Sequence, residues 1–535
     1  MTPSNPIDLF NALVDSAAWP TLRIGLHIVF LLVVGYILKL MFDFRDLTAL
    51  RHLSRPKRKS LIPVVGLTLL FASVLLYQAT WQLTGVTRPD FVAFMQSHDR
   101  RQFNPAHRIR RGRIVDRHGE VLAYSQEYRG QVYRRYPYGP AFAHVVGYSD
   151  PKFGASGMEA AANAHLNGST PASLTAWGEL GRQLLTQEKR PRGQDLVLTL
   201  DAELQLMAVK MLGRNRGAVV LLRPDNGAIR ALASTPSYDP NRISSSLFRG
   251  GDPEAPLLNR ATQGLYPPGS TFKIVLAAQA LNAGFKGRLH CPADGYTTSS
   301  RYRKIRDHEY YRAKRNGQTW KGHGDLDLGT ALAESSNVFF AKLGVGYGHD
   351  AFYESTERFL FNRQIRLHES PYGAQTMSMG RIPRIAKSNQ YGLAQMSIGQ
   401  GRLLVTPAQM ALITASVANR GLAVKPRLVE SEPSFALSRF MSTNAAHRLA
   451  RMMRKVVAEG TGRGIDVDAF SIAGKTGTAQ NPQGKAHSWF IGFAPAERPA
   501  LAVAVLVEHG GYGSKTAAPI ARDLLVRAGE LGMLH

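Results

Sequence analysis

Three clusters of polar residues in this 535-residue chain have the types and the order that acyl chemistry on a serine requires. The first is Ser270-Thr271-Phe272-Lys273, which follows Tyr266-Pro267-Pro268-Gly269 and opens an apolar stretch. A serine hydroxyl is a weak nucleophile until a neighbouring base takes its proton. On a helix, Lys273 at i+3 shares a face with Ser270, and burial lowers a lysine's pKa enough for it to serve as that base. The helix N-terminus adds partial positive charge where an oxyanion forms. The second cluster is Ser335-Ser336-Asn337, between the apolar segments LGTALAE and VFFAKLG, a position suited to a loop at a helix end. Ser335 offers a hydroxyl to relay a proton and Asn337 an amide to hold a substrate carbonyl. The third is Lys475-Thr476-Gly477-Thr478. A lysine with threonine hydroxyls suits a terminal carboxylate, and Gly477 leaves room for a substrate backbone to approach as an added strand.

Each cluster alone has a plainer reading. Ser-x-x-Lys recurs at Ser54/Lys57 and Ser149/Lys152, each with an internal proline that discourages a helix, and Ser-x-Asn recurs at Ser442/Asn444. After Pro-Pro-Gly, Ser270 also reads as a helix N-cap. Gly474-Lys475-Thr476 ends like a phosphate loop, but the glycine that such a loop needs five positions earlier is Ala469. The ordered set is what is specific. Its spacings, 65 residues from Ser270 to Ser335 and 140 from Ser335 to Lys475, fit one catalytic domain.

The elements that must position these residues are readable in outline. GAVVLLRPDNGAIRALAST gives two apolar strands joined at Asp225-Asn226-Gly227. Helices are expected over 270–283 and 406–419, the second with Thr406 as N-cap, Pro407 at its first position and Gly421 past its end. SWFIGFAP and LAVAVLVEH read as late strands before a final helix near 517–528. Strands at both ends with helices between suggest one mixed sheet whose ends pair. Upstream, the chain from about Thr87 to Arg192 is polar and Gly/Tyr-rich, with β-like pieces and a turn at Asp116-Arg117-His118-Gly119.

Composition narrows the partners. Formal net charge is +27, which favours anionic ligands or surfaces. Basic–aromatic runs such as RYRKIRDHEYYRAKR from Arg301 occur, yet no nucleic-acid module accompanies them. The lone Cys291 excludes an intramolecular disulfide, and His308-Glu309 lacks the second histidine of a zinc helix, because position 312 is Arg312. Residues 24–42 and 61–81 are each apolar over a length that crosses a hydrocarbon core of roughly 30 Å. The connecting loop, 43–60, carries Arg45, Arg51, Arg55, Lys57, Arg58 and Lys59. The positive-inside rule puts that loop in the cytoplasm and everything after residue 81 outside.

With all three clusters in order, the chain resembles a penicillin-binding protein. YPPGSTFK, GKTGTAQ and HSWFIGFAP are similar to that family's wording from about residue 193 onward. RGRIVDRHGEVLA (111–123) and GASGMEAAANAHLNG (154–168) resemble the non-catalytic pedestal of its class B members. The resemblance implies a mixed α/β serine-transpeptidase fold, an antiparallel sheet flanked by helices, over 193–535. It places a β-rich pedestal at 82–192, beyond a membrane anchor at 1–81 with two helices, where class B members usually have one. It further implies peptidoglycan D,D-transpeptidation on D-Ala-D-Ala stem peptides, with β-lactams as inhibitors and no metal or organic cofactor. Ser270 is then the nucleophile, Lys273 its base, Ser335 the proton relay and Asn337 the amide holder. Lys475, Thr476, Gly477 and Thr478 form the carboxylate-binding strand, and the backbone N–H groups of Ser270 and Thr478 the oxyanion hole. The bacterial cytoplasmic membrane is the implied location, with the catalytic domain periplasmic and a SEDS-family glycan polymerase as partner. A D,D-carboxypeptidase or β-lactamase-type hydrolase remains an alternative, as does a non-catalytic β-lactam sensor or scaffold.

Overall fold

The computed structural model describes residues 110–534, apart from 130, 169–192, 371–372 and 482. It also describes Ile28, Leu32, Gly35, 71–75 and Gln78, which are helical. Among the described residues no helix is long and apolar enough to cross a membrane. The two expected spans, 24–42 and 61–81, lie largely outside the described residues.

Strands β1 (Ile114–Val115), β2 (Val121–Tyr128), β3 (Gln131–Arg135) and β4 (Leu196–Val197) form a four-stranded sheet in the order β3-β2-β1-β4. The expected turn joins β1 to β2: Gly119 N–H donates to Asp116 O at 3.1 Å, with Gly119 at φ +91°. β4 lies past the expected boundary at 192 and pairs parallel with β1. The two stretches that resemble a pedestal meet through a buried charge cluster. Arg111 donates to Glu159 Oε2 at 2.9 Å and Arg134 to Glu159 Oε1 at 2.6 Å, and Glu159 is fully buried. Both guanidinium groups outweigh the cost of burial and hold the Glu159 carboxyl below its usual range.

The chain continues through α1 (Ala202–Leu212), the hairpin β5 (Gly217–Leu222) and β6 (Ile229–Thr235), then α2 (Lys273–Asn282), α3 (Asn337–Arg358), α4 (Pro407–Ala418) and α5 (Thr443–Ala458). It closes with β7 (Ala473–Asn481), β8 (Gly484–Ala494), β9 (Leu501–Val507) and α6 (Ala517–Glu530). The five strands form one sheet in the order β7-β8-β9-β5-β6. Every pairing in it is antiparallel, as the family resemblance implies, and the sheet is not the mixed one that the order of strands and helices suggests. Its ends do pair: Val505 of β9 faces Val219 of β5.

β5 and β9 read as unbroken apolar runs because helices cover both sheet faces. Successive side chains point to opposite faces. Val219, Leu221, Val503 and Val505 pack with α1 and α6, whereas Val220, Leu222, Ala502 and Ala504 join the larger core with α2 and α4. α4 begins as expected, with the Thr406 hydroxyl accepting from Gln409 N–H at 3.1 Å and Pro407 in its first turn. α3 is broken at Gly348, whose φ of 79° departs from helical geometry. β7 is an edge strand, and the turn that precedes α2 packs on its face at Gly477.

Candidate active site

The lead-in to α2 is tighter than a plain helix start. Gly269–Phe272 forms a 3-10 turn that runs directly into α2 at Lys273. Side chains at i and i+3 eclipse in a 3-10 turn, so Ser270 and Lys273 share one face. Pro268 occupies the N-cap position of that turn, so Ser270 lies inside it and is not the cap. Gly269 has φ +54°, and a Cβ at that position would stand 2.8 Å from Thr478 O, so only glycine lets the turn lie on β7. The turn is fastened to the sheet. Trp489 Nε1 donates to Pro267 O at 3.0 Å, and the Tyr266 hydroxyl donates to Glu508 Oε1 at 2.8 Å. Glu508 also accepts from Arg260 Nε at 2.8 Å and pairs with Arg216 at 3.0 Å.

Lys273 and Lys475 are both fully buried. Lys273 Nζ donates to Ser335 O at 2.6 Å, to Asn337 Oδ1 at 2.8 Å and to Ser335 Oγ at 3.3 Å. Lys475 Nζ donates to Ser335 Oγ at 2.9 Å and to Thr476 O at 3.1 Å. Burial pushes the Lys273 amine down to about 7, against the pull of the Asp307 and Glu309 carboxylates. Lys475 is pushed well below the lysine range, first by burial and then by Lys273 beside it. Four of the expected residues, Lys273, Ser335, Asn337 and Lys475, thus form one hydrogen-bonded cluster.

Ser335 holds a left-handed backbone, φ +61°, which is unusual for a serine. One residue absent from the sequence-based set holds the loop around it. Asp307 is buried, and its Oδ1 accepts from Asn337 N–H at 2.5 Å and Val338 N–H at 3.1 Å. Ser336, the N-cap of α3, donates its hydroxyl proton to Asp307 at 3.0 Å while accepting from Phe339 N–H at 3.1 Å. A carboxylate at a helix N-terminus satisfies amides that have no intrahelical partner. His323 stands 3.8 Å from Asp307 and 3.6 Å from Glu309. Nothing local marks Asp307 in the sequence: it sits in the basic run from Arg301 and acts on a helix thirty residues later.

Ser270, Ser335, Asn337, Thr476, Thr478 and Gln480 all line a cleft of about 420 Å³. Gly474-Lys475-Thr476 is part of an extended strand, with Thr476 opposite Phe490 and Thr478 opposite Ser488, so it forms no phosphate loop. The strand's alternation turns Thr476, Thr478 and Gln480 to the cleft, and Lys475 reaches Ser335 from the buried side. Gly477 has a different neighbour from the expected substrate backbone. A Cβ there would stand 2.8 Å from Thr271 Cγ2, 3.0 Å from Trp489 Cβ and 3.1 Å from Pro268 O. The missing side chain makes room for the Ser270 turn. Among the described residues no group of three or more His, Cys, Asp or Glu side chains is arranged to hold a metal ion.

Residues 217–526 match the family described as the penicillin-binding protein transpeptidase domain, and 111–195 match the penicillin-binding protein A dimerisation domain. A curated relative, the peptidoglycan D,D-transpeptidase PbpA of Mycolicibacterium smegmatis, is 32% identical over 447 residues, covering 77% of this chain and 87% of the relative. The peptidoglycan D,D-transpeptidase MrdA of Acinetobacter baumannii is 31% identical, covering 72% of this chain and 65% of the relative. Penicillin-binding protein A of M. tuberculosis, solved as a ceftriaxone acyl-enzyme complex, superposes with a TM-score of 0.68 at 29% identity. The match covers 79% of this chain and 99% of that one. With the ordered serine–lysine clusters around one cleft, these matches make the chain a member of the penicillin-binding protein family, of its class B.

Proposed function

We propose that this chain is a serine D,D-transpeptidase that cross-links peptidoglycan stem peptides and is acylated by β-lactams. The observation that carries the reading is the placement of Ser270 in one cleft with Ser335, whose hydroxyl accepts from two fully buried lysines. Ser270 Oγ attacks the carbonyl of the penultimate D-Ala as its proton passes to neutral Lys273. The developing oxyanion is met by the backbone N–H groups of Ser270 and Thr478. Collapse of the tetrahedral adduct breaks the amide, and Ser335 passes a proton, drawn from the lysine pair, to the departing D-Ala nitrogen. An amine of a second stem then attacks the Ser270 ester, forms the cross-link and returns the proton to Ser270 Oγ. Asn337 holds the donor amide.

The terminal carboxylate of the donor lies on the Thr476 and Thr478 hydroxyls, with Gly477 as the spacer that brings the nucleophile turn to the strand. Lys475 supplies the charge behind them, and an arriving carboxylate favours its protonated form. The reading extends to location. Apolar stretches 24–42 and 61–81 with the basic loop between them support an anchor at 1–81 in the cytoplasmic membrane, with 82–192 as pedestal and 193–535 as catalytic domain on the outer side. A membrane-embedded glycan polymerase of the SEDS family is the partner expected on this reading, because cross-linking consumes newly made strands.

Labelling with a fluorescent penicillin tests the reading. Wild type acquires a persistent adduct and Ser270→Ala acquires none. An unlabelled wild type, or equal labelling of both, refutes the nucleophile, and rapid loss of the adduct refutes transfer in favour of hydrolysis.

A further inference from the structure

The basic–aromatic run from Arg301 forms one wall of the cleft: Arg303, Lys304, Arg306, His308 and Tyr311 line it, opposite Thr476, Thr478 and Gln480. Most of its polar groups already have partners. Lys304 is ion-paired with Asp294. Arg306 lies 4.5 Å over the Tyr310 ring and donates to Asp294 O at 3.3 Å. His308 Nε2 lies 3.3 Å from the Tyr512 hydroxyl. Arg303 is different. It is exposed, and among the described residues it has neither an ion-pair nor a hydrogen-bond partner.

The backbone that carries Arg303 is held on both sides. Tyr302 stacks on Tyr391, itself a lining residue, with ring centroids 4.5 Å apart and planes 3° from parallel. Two residues along, Ile305 and Tyr296 exchange both backbone hydrogen bonds, at 2.7 and 2.8 Å. The tip between them is closed by Tyr302 N–H donating to Ser299 O at 3.2 Å. With the loop backbone fastened, only the side chain's own rotamers remain to be ordered on binding an anion, and the guanidinium fork matches a carboxylate with two parallel hydrogen bonds.

We propose that Arg303 is a specificity residue of the donor site, binding a second carboxylate of the stem peptide, upstream of the terminal D-Ala-D-Ala. The proposal rests on the transpeptidase reading, since the terminal carboxylate is there assigned to Thr476 and Thr478, leaving the anion for Arg303 to come from elsewhere on the same peptide. The enzyme then discriminates between stems with a free acidic group and stems in which that group is a carboxamide, at a position that contributes nothing to the bond being made. A penicillin without that extra carboxylate does not use Arg303.

The test uses the full-length chain, two synthetic pentapeptides ending in D-Ala-D-Ala that differ only in a free carboxylate or a carboxamide upstream, and fluorescent penicillin in parallel. Wild type releases D-Ala from the free acid about fivefold faster at low salt, the scale of an exposed ion pair, and the preference shrinks at 1 M salt. Arg303→Gln processes both peptides equally, Arg303→Lys keeps part of the preference, and Arg303→Glu reverses it. All three variants take up penicillin as wild type does. No preference in wild type, a preference that survives Arg303→Gln, or loss of penicillin uptake in that variant overturns the proposal. An unlabelled wild type instead refutes the transpeptidase reading on which it rests.

Discussion

Lys273 and Lys475 meet at a single oxygen, the Ser335 hydroxyl, which accepts from their ammonium or amine nitrogens at 3.3 and 2.9 Å. Two buried cations on one acceptor repel, so the free site favours loss of a proton from the pair. That loss is what a serine nucleophile needs. A base whose pKa lies at about 7 is substantially neutral near physiological pH, and that fraction takes the Ser270 proton without first shedding its own.

The first prediction follows from the Lys273 amine being pushed down to about 7. The neutral amine is the active species, so protonation below that value removes the base. The second-order rate of penicillin acylation rises about tenfold per pH unit on the acid side and levels off above about pH 7. Stopped-flow acylation across pH 5 to 9 checks it, and a flat profile through this range contradicts it.

Asp307 separates charge from position. Its carboxylate raises the Lys273 pKa and accepts three hydrogen bonds at the start of α3. Asp307→Asn keeps an acceptor oxygen and removes the charge, so the acid limb of the acylation profile moves to lower pH. Asp307→Ala leaves buried donors unpaired and costs about 3 kcal/mol, with loss of acylation as Ser335 and Asn337 shift. Thermal unfolding and the pH profile, measured together, distinguish the two variants.

Gly477→Ala places a methyl 2.8 Å from Thr271 Cγ2 and 3.1 Å from Pro268 O. Thr271 is buried and its hydroxyl is bonded to Pro268 O at 2.8 Å, so neither can step aside. The turn bearing Ser270 must move away from β7. Overpacking of this kind costs about 1–3 kcal/mol, and displacement of the nucleophile lowers acylation by about 100-fold. Normal acylation in this variant contradicts the packing role assigned to Gly477.

Glu508 joins the end of β9 to the lead-in of the nucleophile turn through Tyr266 and Arg260. Those hydrogen bonds and the arginines hold its carboxyl below the usual range despite burial. A depressed folded-state pKa means the stabilisation is present above the ordinary carboxylate pKa and fades as pH falls through the lower one. Glu508→Gln leaves Arg260 buried without its charge partner and costs about 3 kcal/mol at pH 7. The melting temperatures of variant and wild type converge in acid, and a constant difference across pH contradicts the assignment.

The local chemistry of this fold was largely readable. Thr406, Pro407 and the Asp225-Asn226-Gly227 turn act through neighbours a few residues away, and the structure has the cap and the hairpin where those signals put them. The clusters at Ser270, Ser335 and Lys475 could be read as one set by their order, though no residue pattern gives the distances between them. What stayed hidden depends on tertiary approach. The antiparallel sense of the sheet came only through the family resemblance, because β9 returning beside β5 is encoded in no local period. Asp307 lay inside a run that reads as surface charge, because its partners belong to α3. Gly477 read as space for a ligand because the Ser270 turn that fills that space lies about two hundred residues earlier.

The strand order has a consequence for how the chain acquires its activity. β5 and β6 are made early, and one edge of β5 stays unpaired until β9, near the C-terminus, arrives beside it. Contacts of such long sequence separation form slowly. Ser270 is synthesised long before β7, the strand against which its turn rests, so the emerging chain has a nucleophile without a site. Reactivity toward peptide or drug therefore requires β7, β8 and β9 to have joined the early hairpin in one sheet.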